Sequence, residues 1–481
     1  MAVKLKGDID LKTAPSIMQK ALKINLNQNI YGTFSEIGAG QETARNFFRA
    51  GASSGTIAKA MSAYSKEFSD SIYGRENDGR YVTKPRLLKM LKHETDLMEE
   101  RLDRSQTPDR IYFSYANTVS TIDFSKKNKG HGWVGIRFQM SPLEEYNQII
   151  LHIRFHENDS KHQQITLGKL GVNLIYGAFY HHDDPRELLI SLYDHIDKDK
   201  IEIDMINFSG PRFAFVDNRL MSLLLVKNGF TDAVMFGPDG FNILPADELY
   251  KKNILALRGS FRPVTKLAMD MLTKGKEKFL ENNDVDPDKE EIIFEMTLDN
   301  LTQEGDINEK DFLDRVNLLS SLGQYVMVSN FREYYRLVEY FARFTKEKMG
   351  LIIGANHLMK LFDANYYKHL SGGIMEAMGK MFEKNLKLYI YPYVEKGSEK
   401  IMCSKNIEIP EDQNLLFEYL DKKNKFIDIE NYEKKLLRTY TRDLIKQIQR
   451  GDAGWEKLVP EGIDDLIKKQ NLFGYKKLRE Q

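Results

Sequence analysis

Five arginines stand beside small or amide residues in short polar bends. Arg212 closes Ser209-Gly210-Pro211-Arg212, and Arg219 closes Asp217-Asn218-Arg219. Arg258 and Arg262 bracket Arg258-Gly259-Ser260-Phe261-Arg262, and Arg332 ends Ser329-Asn330-Phe331-Arg332. A guanidinium presents a planar fork of donors that matches phosphate or carboxylate oxygens. These five are the candidate holders of an anionic substrate, with Asn356 as a further polar contact. Asp217, Asn330 and His357 are the candidate catalytic groups, able to orient a ligand or move a proton. The competing account is structural: arginines pin loops by surface ion pairs, and asparagines cap helices.

Other residue patterns carry less. Ile37-Gly38-Ala39-Gly40-Gln41-Glu42 follows an apparent strand and opens a helix-like run, so Gly38 and Gly40 are candidate cofactor-binding glycines. The third glycine of a dinucleotide fingerprint is missing, because Thr43 stands there. A close-packed turn is the alternative. Gly51–Thr56 lacks the Gly-Lys-Ser/Thr order of a phosphate loop. His152, His156 and His162, with His181-His182-Asp183-Asp184, could gather a Zn or Mn site. A polar turn at Asp183-Asp184-Pro185 explains that stretch better, and no metal is expected. No Gly-x-Ser-x-Gly elbow occurs in a strand–helix setting. Cys403, the single cysteine, has no convincing local partner.

The bulk properties bound the answer. The 481 residues carry 70 basic and 70 acidic side chains, a balance that speaks against nonspecific binding to duplex nucleic acid. One cysteine permits no internal disulfide, which suits a reducing cytoplasm. The opening Met1–Lys6 has no apolar signal region, and apolar runs such as Leu220–Val226 are too short to span a bilayer. The expectation is a cytoplasmic protein with no membrane partner.

The elements that must position these bends follow a recurring phrase. A short apolar run, a polar tip and a helix-like stretch repeat from Ile201–Phe208 through Asp232–Phe236, Asn253–Leu257, Glu291–Leu298, Gln324–Val328, Met349–Ile353 and Leu386–Tyr391. The spacing predicts β-α-β crossovers and a mainly parallel sheet, which gathers its loops at one edge. The expected fold class is α/β, with the sheet either doubly wound or an incomplete barrel. Three regions are expected: an N-terminal α+β region at 1–198, a parallel α/β core at 199–393, and a helical C-terminal extension at 394–481. Strands are expected at Ile30–Phe34, Ile111–Tyr115, Gly132–Phe138 and Ile149–Phe155, and helices at Glu42–Ala50, Thr56–Ser69 and Lys84–Leu102.

Several stretches also resemble a bacterial family of similar length whose members are sometimes named nicotinate- or nicotinamide-nucleotide adenylyltransferase. They are Tyr31–Gln41, Asp217–Leu220, Ser329–Tyr335, Gly354–Leu358 and Trp455–Pro460. That enzyme class uses a His-x-Gly-His motif, and neither His131-Gly132-Trp133 nor Asn356-His357-Leu358 matches it, so no catalytic residue carries over. The functional expectation is an enzyme acting on a small phosphorylated or nucleotide-like metabolite, with the cofactor unassigned. The alternative is a self-assembling scaffold, a homo-oligomer joined through Leu436, Leu437, Tyr440, Leu444 and Ile448.

Overall fold

The structure is a computed structural model that describes residues 14–77, 79–302 and 305–476; the reading of Met1–Lys6 lies outside them. The chain separates into two compact units, 1–231 and 232–481.

The first unit is built on six strands: β1 (Ile30–Gly38), β2 (Ile57–Ala63), β3 (Ile111–Ser120), β4 (His131–Phe138), β5 (Asn147–Phe155) and β6 (Ile201–Ser209). Their order is β2-β1-β3-β4-β5-β6. β1 runs parallel to β2 and β3, and the rest are antiparallel. Two expectations are corrected here. Thr56–Ser69 is not one helix: Ile57–Ala63 is edge strand β2, because pairing with β1 overrides the helix-favouring Ala58, Ala60 and Met61. Ile201–Phe208 does not open the parallel core: it closes this first sheet as β6, antiparallel to β5. A single strand's composition does not encode its partner's direction.

One buried row in this unit titrates. Glu36 on β1 lies level with Ser62 on β2 and Asn117 on β3. It is buried, and the Ser62 hydroxyl donates to its Oε2 at 3.3 Å. Burial pushes its pKa up to about 8, against about 4.3 for an unperturbed Glu. The folded state therefore still holds at neutrality a proton that the unfolded chain has released above about pH 4.3. Glu36's contribution favours folding at acid pH and is lost as pH rises through about 8. Glu36→Gln should remove this pH dependence, so that urea midpoints of variant and parent converge at low pH and the variant becomes the more stable near pH 8.

The second unit contains β7 (Ala233–Phe236), β8 (Asn242–Ile243), β9 (Asn253–Arg258), β10 (Glu290–Thr297), β11 (Tyr325–Ser329), β12 (Met349–Gly354) and β13 (Leu386–Tyr391). A small hairpin, β14 (Tyr393–Val394) and β15 (Ile401–Met402), precedes β16 (Phe426–Asp428). The main sheet is ordered β16-β13-β12-β9-β10-β11-β7-β8. Six of its strands are mutually parallel. β7, expected among them, is antiparallel to β11.

From central β9 the chain steps outward through β10 and β11, returns to β12 beside β9, and steps the other way to β13 and β16. This is a doubly wound sheet with a switch point between β9 and β12. It is open, with β16 and β8 at its edges, so the barrel alternative falls. Helices cover both faces. On one, the helices Lys266–Leu280 and Glu309–Ser321 bring Phe279 to Tyr389 and Phe312 to Phe236, with ring centroids 5.9 and 6.0 Å apart. Gly275 permits the first approach, since a Cβ there would meet Ile352 at 2.5 Å. On the other face, the helices Tyr334–Phe341, Ala355–Leu361 and Gly373–Phe382 pack on Leu351, Ile353, Leu388 and Ile390.

The C-terminal segment 394–481 is mainly helical, but it also carries β15 of the small hairpin and the three-residue strand β16, which joins the main sheet beside β13. Leu436, Leu437, Leu444 and Ile448 are buried within the chain, so they do not form the free subunit face the scaffold reading requires. No helix among the described residues is long and apolar enough to cross a membrane.

Candidate functional site

Because β9 and β12 are parallel neighbours whose connections depart in opposite directions, their C-terminal ends leave a crevice. It holds a cavity of about 190 Å³. The β9 side supplies Arg258 and the loop Gly259–Thr265; the β12 side supplies Gly354, Asn356 and His357; Tyr391, Thr439, Tyr440 and Thr441 complete the wall. Thr265 caps the helix Lys266–Leu280 by accepting from the Ala268 N–H at 3.2 Å. The start of that helix, with Ala268, borders the cavity.

Two cavities adjoin this one. A second is lined by Ser260, Arg262, Asp306, Asp311, Arg315 and Arg442, among others. A third is lined by Arg258, Arg332, Tyr334, His357, Lys360 and Tyr366, among others, and shares Arg258 and His357 with the first.

The predicted residues divide between the two units. Arg212, Asp217 and Arg219 belong to the first, and none of them lines these cavities. Arg212 Nε meets Glu144 Oε1 at 2.7 Å. Asp217 is the N-cap of the helix Asn218–Lys227, and Arg219 Nη2 reaches its Oδ2 at 2.7 Å. Burial acts to raise the Asp217 pKa, but the hydrogen bonds and charge of Arg219 outweigh it and hold the carboxyl below the usual range. Gly38 adopts φ +85°, and a Cβ there would meet the Val119 carbonyl oxygen at 2.1 Å. A Cβ on Gly40 would overlap the Asn117 amide at 2.0 Å. Both glycines therefore serve close packing in the first unit.

In the second unit Arg258, Asn356 and His357 converge. The arginines arrive neutralised. Arg258 makes a two-pronged pair with Glu295 (Nε–Oε2 2.7 Å, Nη2–Oε1 3.0 Å) and donates to the Arg332 carbonyl at 3.1 Å. Arg262 Nε meets Asp311 Oδ1 at 2.5 Å, and Arg332 Nε meets Asp299 Oδ2 at 3.0 Å. Asn330 stands apart from these cavities: its backbone N–H donates to the Asp232 carbonyl at 3.0 Å, and its buried Oδ1 has no hydrogen-bond partner among the described residues.

By contrast, Asn356 and His357 make no side-chain hydrogen bond among the described residues. Surrounding protein lowers the His357 pKa to about 4, helped by Lys360 and Arg258, although the side chain keeps access to solvent at the crevice mouth. The imidazole is neutral at pH 7 and offers one donor and one acceptor.

Three useful residues escaped the sequence reading. Lys360 lies three positions after His357 on one helix, a spacing that places both on one side, and it has no carboxylate partner among the described residues. Arg442 is similarly unpaired and lies far off in the chain, where no local signal marks it. Arg315, buried at 3% exposure, shares Asp311 with Arg262 through an Nε–Oδ2 contact of 2.7 Å. No group of three or more His, Cys, Asp or Glu side chains suited to a metal ion occurs among the described residues.

No family model matches the chain, and no curated protein matches it. Solved structures give weak likenesses. A competence/damage inducible protein, CihA, from Agrobacterium tumefaciens is 13% identical, covering 34% of this chain and 94% of that one, with a TM-score of 0.24. A competence-damaged (CinA) superfamily protein from Enterobacter cloacae is 10% identical, covering 37% and 98%, with a TM-score of 0.25. A competence or damage-inducible protein from Enterobacter asburiae is 11% identical, covering 34% and 99%, also at 0.25. At these scores the likeness carries no weight for fold or function.

Proposed function

We propose that the second unit binds a phosphorylated, nucleotide-like metabolite in the crevice between β9 and β12. The observation that carries this reading is the reversal of strand order at that point, where open α/β sheets place their ligands. The unpaired Asn356 amide and neutral His357 ring would contact the ligand there, and His357 would hold or pass a proton. Arg258 acts through position: paired with Glu295, it fixes the crevice floor. The anionic end would lie toward the neighbouring cavity, where three guanidiniums (Arg262, Arg315, Arg442) face two carboxylates (Asp306, Asp311). The third cavity, sharing Arg258 and His357, leaves room for a second ligand or a second end of the same one. The family resemblance puts pyridine and adenine nucleotides first in the search.

A thermal-shift and calorimetry screen of nucleotides and sugar phosphates tests the reading. At least one should raise the melting temperature, and Asn356→Ala should weaken its binding on the order of tenfold. Because the imidazole is already neutral, the part of binding that depends on His357 should stay level from pH 8 down to about 5. It should fall only as the ring protonates near pH 4. A screen without a stabilising ligand, or binding that weakens with a midpoint near an ordinary histidine value of about 6.5 and loses that midpoint in His357→Gln, would count against it.

A further inference from the structure

In the first unit two imidazoles meet, and neither lines a cavity described above. His131 on β4 and His152 on β5 bring Nδ1 and Nε2 to 3.3 Å. The other nitrogen of His152, Nδ1, lies 2.5 Å from Asp204 Oδ1 on β6, and Arg154 Nε holds the second carboxylate oxygen at 2.8 Å. Trp133 packs on the His152 ring, with centroids 4.9 Å apart. His152 is buried and His131 is half-buried.

We propose that His131 and His152 form a two-imidazole chelate for a divalent transition-metal ion, with Zn2+ and Cu2+ as the fitting probes. The argument is geometric. Two metal–nitrogen bonds of about 2.0–2.1 Å at a tetrahedral angle place the nitrogens about 3.3 Å apart, and the observed pair has that separation. Asp204 fixes the tautomer of His152 by accepting from Nδ1–H, which leaves the Nε2 lone pair facing His131. A carboxylate behind a histidine is the usual support of an imidazole ligand. Arg154 keeps Asp204 in that supporting place, its Nε donating to Oδ2.

Proton balance is simple. Without metal, the proton between the rings sits on His131 Nδ1 and points at His152 Nε2. On binding, the neutral His131 ring moves that proton to its Nε2 and offers the Nδ1 lone pair, so no net proton is released. The ion would tie β4 to β5.

The test uses the full chain stripped of metal by chelator. Zn2+ calorimetry and Cu2+ quenching of the tryptophan emission, to which Trp133 and Trp455 both contribute, should each show one saturable site. His131→Ala, at the half-buried position, should weaken it at least about tenfold. Asp204→Asn should weaken it by about 10–100-fold. His162→Ala, at an exposed ring elsewhere, should change nothing. Electron paramagnetic resonance of the Cu2+ complex should show two imidazole nitrogens, and one in His131→Ala. Absence of saturable binding, or binding as tight in His131→Ala as in the parent, or a one-nitrogen spectrum in the parent, would overturn the proposal.

Discussion

Arg258→Met should destabilise the second unit by roughly 3–5 kcal/mol. Glu295 is fully buried on β10, and Arg258 supplies its countercharge from β9 with two short contacts. Among the described residues, only the Ser329 hydroxyl, donating to Oε1 at 2.6 Å, would remain to solvate the carboxylate. Removing one member of such a pair strands the other in a medium that cannot hydrate it. Replacing both, as Arg258→Met with Glu295→Leu, should recover most of the loss, because burying a pair costs nearly as much as the pair returns. Urea unfolding of the two variants measures the difference. Should the single variant unfold like the parent, Glu295 is not the isolated charge that the geometry implies. Ligand affinity should also fall in Arg258→Met, through the lost link to the Arg332 carbonyl and the Tyr334 ring 4.3 Å away, so stability and binding must be measured separately.

Ala268→Phe should reduce ligand binding by about 100-fold or more while the fold persists. Ala268 lies in the first turn of the helix Lys266–Leu280 and borders the crevice. It is only part-buried, so a larger side chain can extend into the open space without displacing the core. In a cavity of about 190 Å³ a phenyl ring takes room that a nucleotide would need. The far-ultraviolet spectrum and melting temperature should stay near the parent's. Unchanged affinity would mean that the ligand lies elsewhere.

The helices and most strands were legible because their periodicity is local. Glu42–Ala50 forms over the very residues expected, Lys84–Leu102 forms as Lys84–Arg101, and five of the recurring apolar runs form parallel neighbours β9 to β13. What the sequence could not convey is pairing. Ile201–Phe208 and Asp232–Phe236 look like the other runs but join antiparallel neighbours, so Arg212, Asp217 and Arg219 fall with the first sheet. Strand order, which locates the switch point, is likewise a tertiary property. The arginines drew attention by residue type, yet a guanidinium's usefulness depends on whether a carboxylate already holds it. Glu295 stands 37 residues from Arg258, and Asp311 stands 49 from Arg262. Asn356 and His357 proved the more available groups because the short helix Ala355–Leu361 turns them to the crevice without side-chain partners among the described residues.

The central claim is that ligands enter between β9 and β12. Photolabelling of the full chain with an azido-nucleotide, followed by mass spectrometry of the peptides, tests it most directly. The account predicts label on 257–268 and 352–357, competed away by the unmodified nucleotide. Competed label confined to residues 14–231 would contradict it.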